Sequence, residues 1–168
     1  LSILLLLTKN RYKTFIIFNV NLIFWGLCYA LHLRSVDADH ALVWMRLCNA
    51  FISFIALFAF FFAVELTNYK LSNRWRNINA AIALTFFVLI SCTPLVFYGT
   101  KSFLGFQFVP EITPLYYLFL LYYTVNVVWA NIIIYRNIKN DSRIKFIFTG
   151  FVIGFLGGTT TVFPFLGI

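Results

Sequence analysis

The chain has 168 residues, of which 62% are hydrophobic and 11% charged, against about 45 to 50% and about 25% in a typical soluble domain. That balance, with a mean hydropathy of +0.89, excludes an ordinary water-soluble enzyme and makes lipid the expected main solvent. The net charge of +8 does not signal a nucleic-acid binder, because the basic residues sit in short clusters between apolar runs and not on one polar face.

Leu1 to Leu7 is apolar but would rise only roughly 10 Å as a helix against a hydrocarbon core of about 30 Å. It has no initiator Met, no basic leader and no small-residue cleavage site, which argues against a signal peptide. The chain is expected to be a fragment that begins within a partial first helix. Five further apolar runs approach the roughly 20 residues needed to span: Phe15 to Leu33, Leu42 to Val64, Ala80 to Tyr98, Leu115 to Tyr135 and Phe146 to Leu166. The connections Thr8 to Thr14, Arg34 to Ala41, Glu65 to Asn79, Gly99 to Pro114 and Arg136 to Lys145 are polar and too short for another domain. A membrane barrel would show segments of about ten alternating residues, whereas these runs are continuously apolar. The expected fold class is therefore all-α, a single polytopic transmembrane helix bundle over residues 1–168 with five complete helices and a partial first one.

Cytoplasmic loops carry the excess of Lys and Arg. Lys9, Arg11 and Lys13 fall in the first connection, Lys70, Arg74 and Arg76 in the third, and Arg136, Lys139, Arg143 and Lys145 in the fifth. Loops 8–14, 65–79 and 136–145 are thus expected in the cytoplasm of a multi-pass cell-membrane protein. Trp25, Trp44, Trp75 and Trp129 fall largely near helix ends, where amphipathic rings anchor at the interface.

A charge inside a span costs about 2.5 to 3.5 kcal/mol on insertion scales and so marks a candidate site. Arg46 lies one turn into the second run, with Asn49 and Ser53 on the same helical face. One reading makes Arg46 and Asn49 line an outward-facing cavity for an anionic or carbonyl-bearing ligand, with Asn126 or Glu111 contributing. The other has Arg46 snorkel to the headgroups or pair with Asp37 or Asp39. Glu65 is expected to pair with the basic connection beside it, and Asn19, Asn21, Asn126 and Asn131 to make interhelical hydrogen bonds. Gly150, Gly154, Gly157 and Gly158 repeat at helical spacing, a small-residue surface on which another helix packs closely. Cys28, Cys48 and Cys92 each lie within an apolar run and show neither a disulfide framework nor metal-ligand spacing. No catalytic constellation, metal site or cofactor motif emerges, so no enzymatic activity is expected of this segment.

Trp44-Met45-Arg46-Leu47 opens a helix that ends in the aromatic stretch Phe58 to Phe62. The basic connection Arg143-Ile144-Lys145 leads into Thr149-Gly150-Phe151-Val152-Ile153-Gly154-Phe155-Leu156-Gly157-Gly158, and Phe163-Pro164-Phe165-Leu166-Gly167-Ile168 follows. In this pattern the chain resembles the N-terminal seven-transmembrane sensor region of histidine kinases and related cyclases, lacking most of the first helix, the seventh helix and the output domain. The resemblance implies a signal-sensing input module that passes an external or intramembrane signal to a cytoplasmic kinase or cyclase domain. Its expected partners are the bilayer, a small ligand of undefined identity and, by analogy with sensor kinases, a second copy of the chain. A fragment of a small-solute transporter or permease is the alternative, suggested by Thr159, Thr160 and Thr161 beside Gly157 and Gly158.

Overall fold

The computed structural model describes residues 13–103, 106–137 and 142–160. They form α1 (Lys13–Leu33), α2 (Ala38–Thr67), α3 (Asn73–Cys92), β1 (Phe97–Phe103), β2 (Phe106–Ile112), α4 (Pro114–Asn137) and α5 (Ser142–Thr160). The apolar segment Leu1 to Leu7 and the exit segment Phe163 to Ile168 lie outside the described residues.

Helices α1 to α4, of 21, 30, 20 and 24 residues, are each long and apolar enough to cross a membrane. The described apolar stretch of α5, Ile144–Leu156, is shorter. Helix α2 reaches beyond the Leu42 to Val64 run at both ends because both ends are capped. Asp37 is extended (φ −139°, ψ 165°) and its carboxylate accepts the His40 backbone N–H at 2.8 Å and faces the His40 ring Nδ1 at 2.6 Å. At the other end Asn68 adopts the left-handed conformation (φ 52°) that turns the chain out of the helix. The His40 backbone N–H and then its ring hold the Asp37 carboxyl below the ordinary carboxylate range. A carboxyl so depressed contributes stability above its unfolded pKa of about 3.9 and loses it as pH falls through the lower folded value. Asp37→Ala is expected to lower the protection of the Asp39, His40 and Ala41 amides, measured against their intrinsic exchange rates, at neutral pH, and acidification below the folded pKa to lower it likewise in the wild type.

Helix α3 begins at Asn73, before the apolar run, because Ser72 accepts the Trp75 backbone N–H and draws the polar first turns into the helix. It ends at Cys92, where the run was expected to continue helical to Tyr98. Pro94 is the reason: it drives Thr93 out of the α region to φ −132°, ψ 156°. The connection expected as a polar loop is then a β-hairpin, which corrects the all-α reading. Strands β1 and β2 pair antiparallel with Gly99 opposite Glu111, Thr100 opposite Pro110 and Lys101 opposite Val109. Pro110 is tolerated because each strand of a two-stranded sheet is an edge.

Helix α2 is the centre of the molecule, packing against α1, α3, α4 and both strands. Its contact surface carries a series of small residues, Ala41, Ala50, Ser53, Ala56, Ala59 and Ala63, all fully buried, among larger ones such as Met45, Leu57 and Phe62. Small side chains let helix backbones approach closely. The apolar faces of the other helices point outward, as Ile23 of α1, Leu84 of α3, Leu121 of α4 and Ile153 of α5 show. Of the most apolar stretch of each helix, 61% is buried in α2 but only 17% in α1 and 11% in α3.

Consecutive helices run antiparallel. At one end the Thr14 hydroxyl of α1 donates to Glu65 of α2 at 2.5 Å, and the Arg76 guanidinium of α3 lies 5.6 Å from the Phe61 ring centre. There Ala63, Ile133 and Ile144 form a common cluster. Lys13, Lys70, Arg74, Arg76, Arg136 and Lys145 therefore gather at that end, with Asp37 and the hairpin at the other. Glu65, expected to pair with the basic connection, is held by Thr14 instead.

Candidate functional site

Arg46, Asn49 and Ser53 share a face of α2, as their spacing requires, but do three separate things. Arg46 is half-buried and donates through both Nε (3.2 Å) and Nη2 (2.6 Å) to the carbonyl oxygen of Phe97. That clamp fastens the hairpin to α2, and the expected pairing with Asp37 or Asp39 is not made. Hydrogen bonds to a charged donor contribute about 1.5 to 3 kcal/mol. Because the guanidinium is only half-buried, Arg46→Ala is expected to cost about 1.5 to 2 kcal/mol, with faster amide exchange confined to the hairpin as the diagnostic reading. Ser53 turns inward, donating to the Ala50 carbonyl at 2.6 Å, while its own carbonyl accepts from the Tyr122 hydroxyl at 3.4 Å.

Asn49 is only 2% exposed. Its Nδ2 donates to the Met45 carbonyl at 3.0 Å and approaches the Met45 sulfur at 3.1 Å. Both neighbours are acceptors, which fixes the amide orientation and directs Oδ1 away from them. Among the described residues no donor reaches Asn49 Oδ1.

Asn49 lies in the wall of a cavity of about 240 Å³ where α1, α2, α4 and α5 meet. Phe18 and Trp25 of α1 form one side, Phe119 and Tyr123 of α4 a second, and Phe151 and Phe155 of α5 a third. These pairs recur at roughly helical spacing, which aims their rings into one space. Gly150 and Gly154 complete the α5 wall. They were expected to bring a neighbouring helix close, yet a Cβ built at either would meet nothing within 4 Å. Here the missing side chains open space; the close-packing small residues are those of α2. Gly157 and Gly158 fall in the last turns of α5.

Asn126 does not join Asn49. It is 5% exposed, accepts from Asn79 Nδ2 at 2.6 Å and donates to the Tyr122 carbonyl at 3.0 Å. It borders a separate and wider groove of about 760 Å³ between α3 and α4, with Lys70 and Trp75 among its walls. Glu111 sits in the hairpin opposite Gly99. Of the asparagines expected to bridge helices, Asn126 does so, whereas Asn19, Asn21 and Asn131 donate to the carbonyl four residues back on their own helices. Among the described residues no three His, Cys, Asp or Glu side chains converge as a metal site would require. The aromatic cavity itself was not anticipated; the signal for it was the i, i+4 aromatic pairs Phe119 with Tyr123 and Phe151 with Phe155.

The arrangement has a largely apolar chamber, one carboxamide in its wall whose oxygen meets no donor among the described residues, and four helices in contact with whatever enters. Comparison of the chain with protein-family models, with curated proteins and with solved structures finds no match.

Proposed function

We propose that the chain is an integral membrane bundle acting as the sensing module of a histidine-kinase-type receptor or related cyclase, with the cavity at Asn49 as its ligand site. The chamber between α1, α2, α4 and α5 carries this reading. A ligand there touches four helices at once, so its binding energy can favour one packing of the bundle over another, which is what transmission across a membrane requires. The outward apolar faces of α1, α3, α4 and α5 suit lipid, and the gathered basic end faces the cytoplasm by the positive-inside rule. The output in this reading is a cytoplasmic kinase or cyclase domain, and the receptor works as a homodimer.

Transporters bind substrates at discontinuous helices. Helix α5 instead runs unbroken through Gly157 and Gly158 to Thr160, which supports the receptor reading over the transporter or permease. Determining the coding sequence on the C-terminal side of Ile168 tests the choice. One further apolar span followed by a soluble kinase or cyclase domain is the expected result. A series of further spans with internal repeat symmetry and no soluble domain would contradict the receptor and favour the transporter.

A further inference from the structure

The ligand class follows from the chemistry of the chamber, taking the cavity to be the sensing site. No ionised side chain contributes to its wall. Burying an unpaired charge there would cost far more than apolar contacts return, so the occupant is uncharged. The volume is about 240 Å³, against an engineered apolar cavity of about 150 Å³ that takes up benzene. That leaves room for one or two rings and little more. The walls are built of aromatic rings already in mutual contact, Tyr123 edge-on to Phe155 at 6.1 Å and Phe151 edge-on to Phe155 at 5.5 Å. Such walls favour a further ring in tilted or edge-to-face geometry.

The polar feature that sets specificity is Asn49. Its amide nitrogen is committed to Met45, and among the described residues no donor reaches its Oδ1. An N–H or O–H on the ligand would supply the partner that the protein does not. We propose that the cavity binds a small uncharged aromatic molecule of one or two rings bearing a single hydrogen-bond donor, of the indole or phenol class, with its donor on Asn49 Oδ1 and its ring against Phe151 and Phe155. Gly150 and Gly154 make the space for that ring, since nothing lies within 4 Å of a Cβ at either position.

Equilibrium binding of radiolabelled indole and of 1-methylindole to the purified chain in lipid nanodiscs tests this. The two probes share a ring system and differ in the donor. Wild type is expected to bind indole about tenfold more tightly than 1-methylindole, the discrimination one neutral hydrogen bond supplies. Asn49→Leu should bring the two affinities together. Gly154→Leu should abolish binding of both while leaving the melting temperature unchanged or raised, because the added side chain fills open space. Should Asn49→Leu fail to fold, the wild-type comparison of the two probes decides. Equal affinity of wild type for both, or indole binding undiminished in Gly154→Leu, overturns the proposal. An acyl chain displaced by either probe without discrimination would give the first of these results. Indole binding without any change in the output of the full-length receptor would uphold the ligand class and refute the sensing role. A receptor that responds to another stimulus but does not bind indole would refute the ligand class alone.

Discussion

Phe97→Ala is expected to destabilise the bundle by about 3 to 5 kcal/mol, the usual cost of removing a fully buried phenyl ring. Phe97 is 0% exposed although it stands at the start of β1, outside every helix. Its ring centre lies 5.3 Å from that of Tyr116, the first-turn residue of α4, and both belong to the main core cluster with Ile90 and Phe119. The ring therefore joins the hairpin to α3 and α4, while the Phe97 carbonyl joins it to Arg46 of α2. The substitution removes the first link and keeps the backbone acceptor of the second. Reversible unfolding in mixed micelles measures the loss, with Phe97→Leu expected to recover more than half of it. A change below about 1 kcal/mol would mean that the hairpin is a passive connection; typical surface substitutions lie within about 0.5 kcal/mol.

Ala56→Leu is the second large effect, expected at about 3 kcal/mol, at the upper end of the cost of overpacking. Ala56 is 0% exposed at the middle of α2, between Ser53 and Ala59, which are equally buried. A leucine adds three carbons at a position with no exposed surface, and α2 cannot retreat because it is held on three sides by α1, α3 and α4. The same enlargement at Gly154 of α5 meets open space. Melting temperatures of the two variants measured side by side should therefore fall for Ala56→Leu and hold for Gly154→Leu. The opposite ranking would place the tight packing on the glycine face.

The apolar runs were legible because a helix long enough to cross a hydrocarbon core needs sustained apolarity, and α1 to α4 have it. Their ends were less legible because they are set by local chemistry and not by hydropathy. Pro94 and the caps at Asp37 and Ser72 moved three boundaries, and all three are written in the chain. The hairpin was obscured by composition. Phe106, Phe108, Pro110 and Ile112 alternate with Gln107 and Glu111, but the buried Val109 breaks the alternation and a proline inside such a run reads as a break, accepted here because the sheet stops at two strands.

Within the candidate site, Asn49 could be picked out as a polar residue on an apolar helix. Its separation from Arg46 could not, since helical spacing fixes which face a residue shares and not what lies opposite. Arg46 faces the hairpin and Asn49 faces the chamber because different elements cover successive turns of α2. The glycine repeat had the same ambiguity: a missing side chain permits either close approach or empty space, and only the position of the neighbouring helices decides. The buried alanines of α2 were hidden among the phenylalanines of a uniformly apolar run, where hydropathy does not separate the inward face from the outward one.

In the membrane bundle we propose, α2 is the buried axis and the other helices turn their apolar faces to lipid. Nitroxide accessibility tests it most directly, with single labels placed in a cysteine-free background in liposomes. Labels at Ile23 and Leu84, which are 62% and 55% exposed, should collide freely with oxygen dissolved in the bilayer and scarcely with a water-soluble nickel reagent. A label replacing Phe60 of α2, a large side chain only 7% exposed, should be protected from both. Strong nickel collision at Ile23 and Leu84 would put those faces in water and contradict the membrane bundle, and oxygen access at Phe60 equal to that at Ile23 would contradict the place of α2 at its centre.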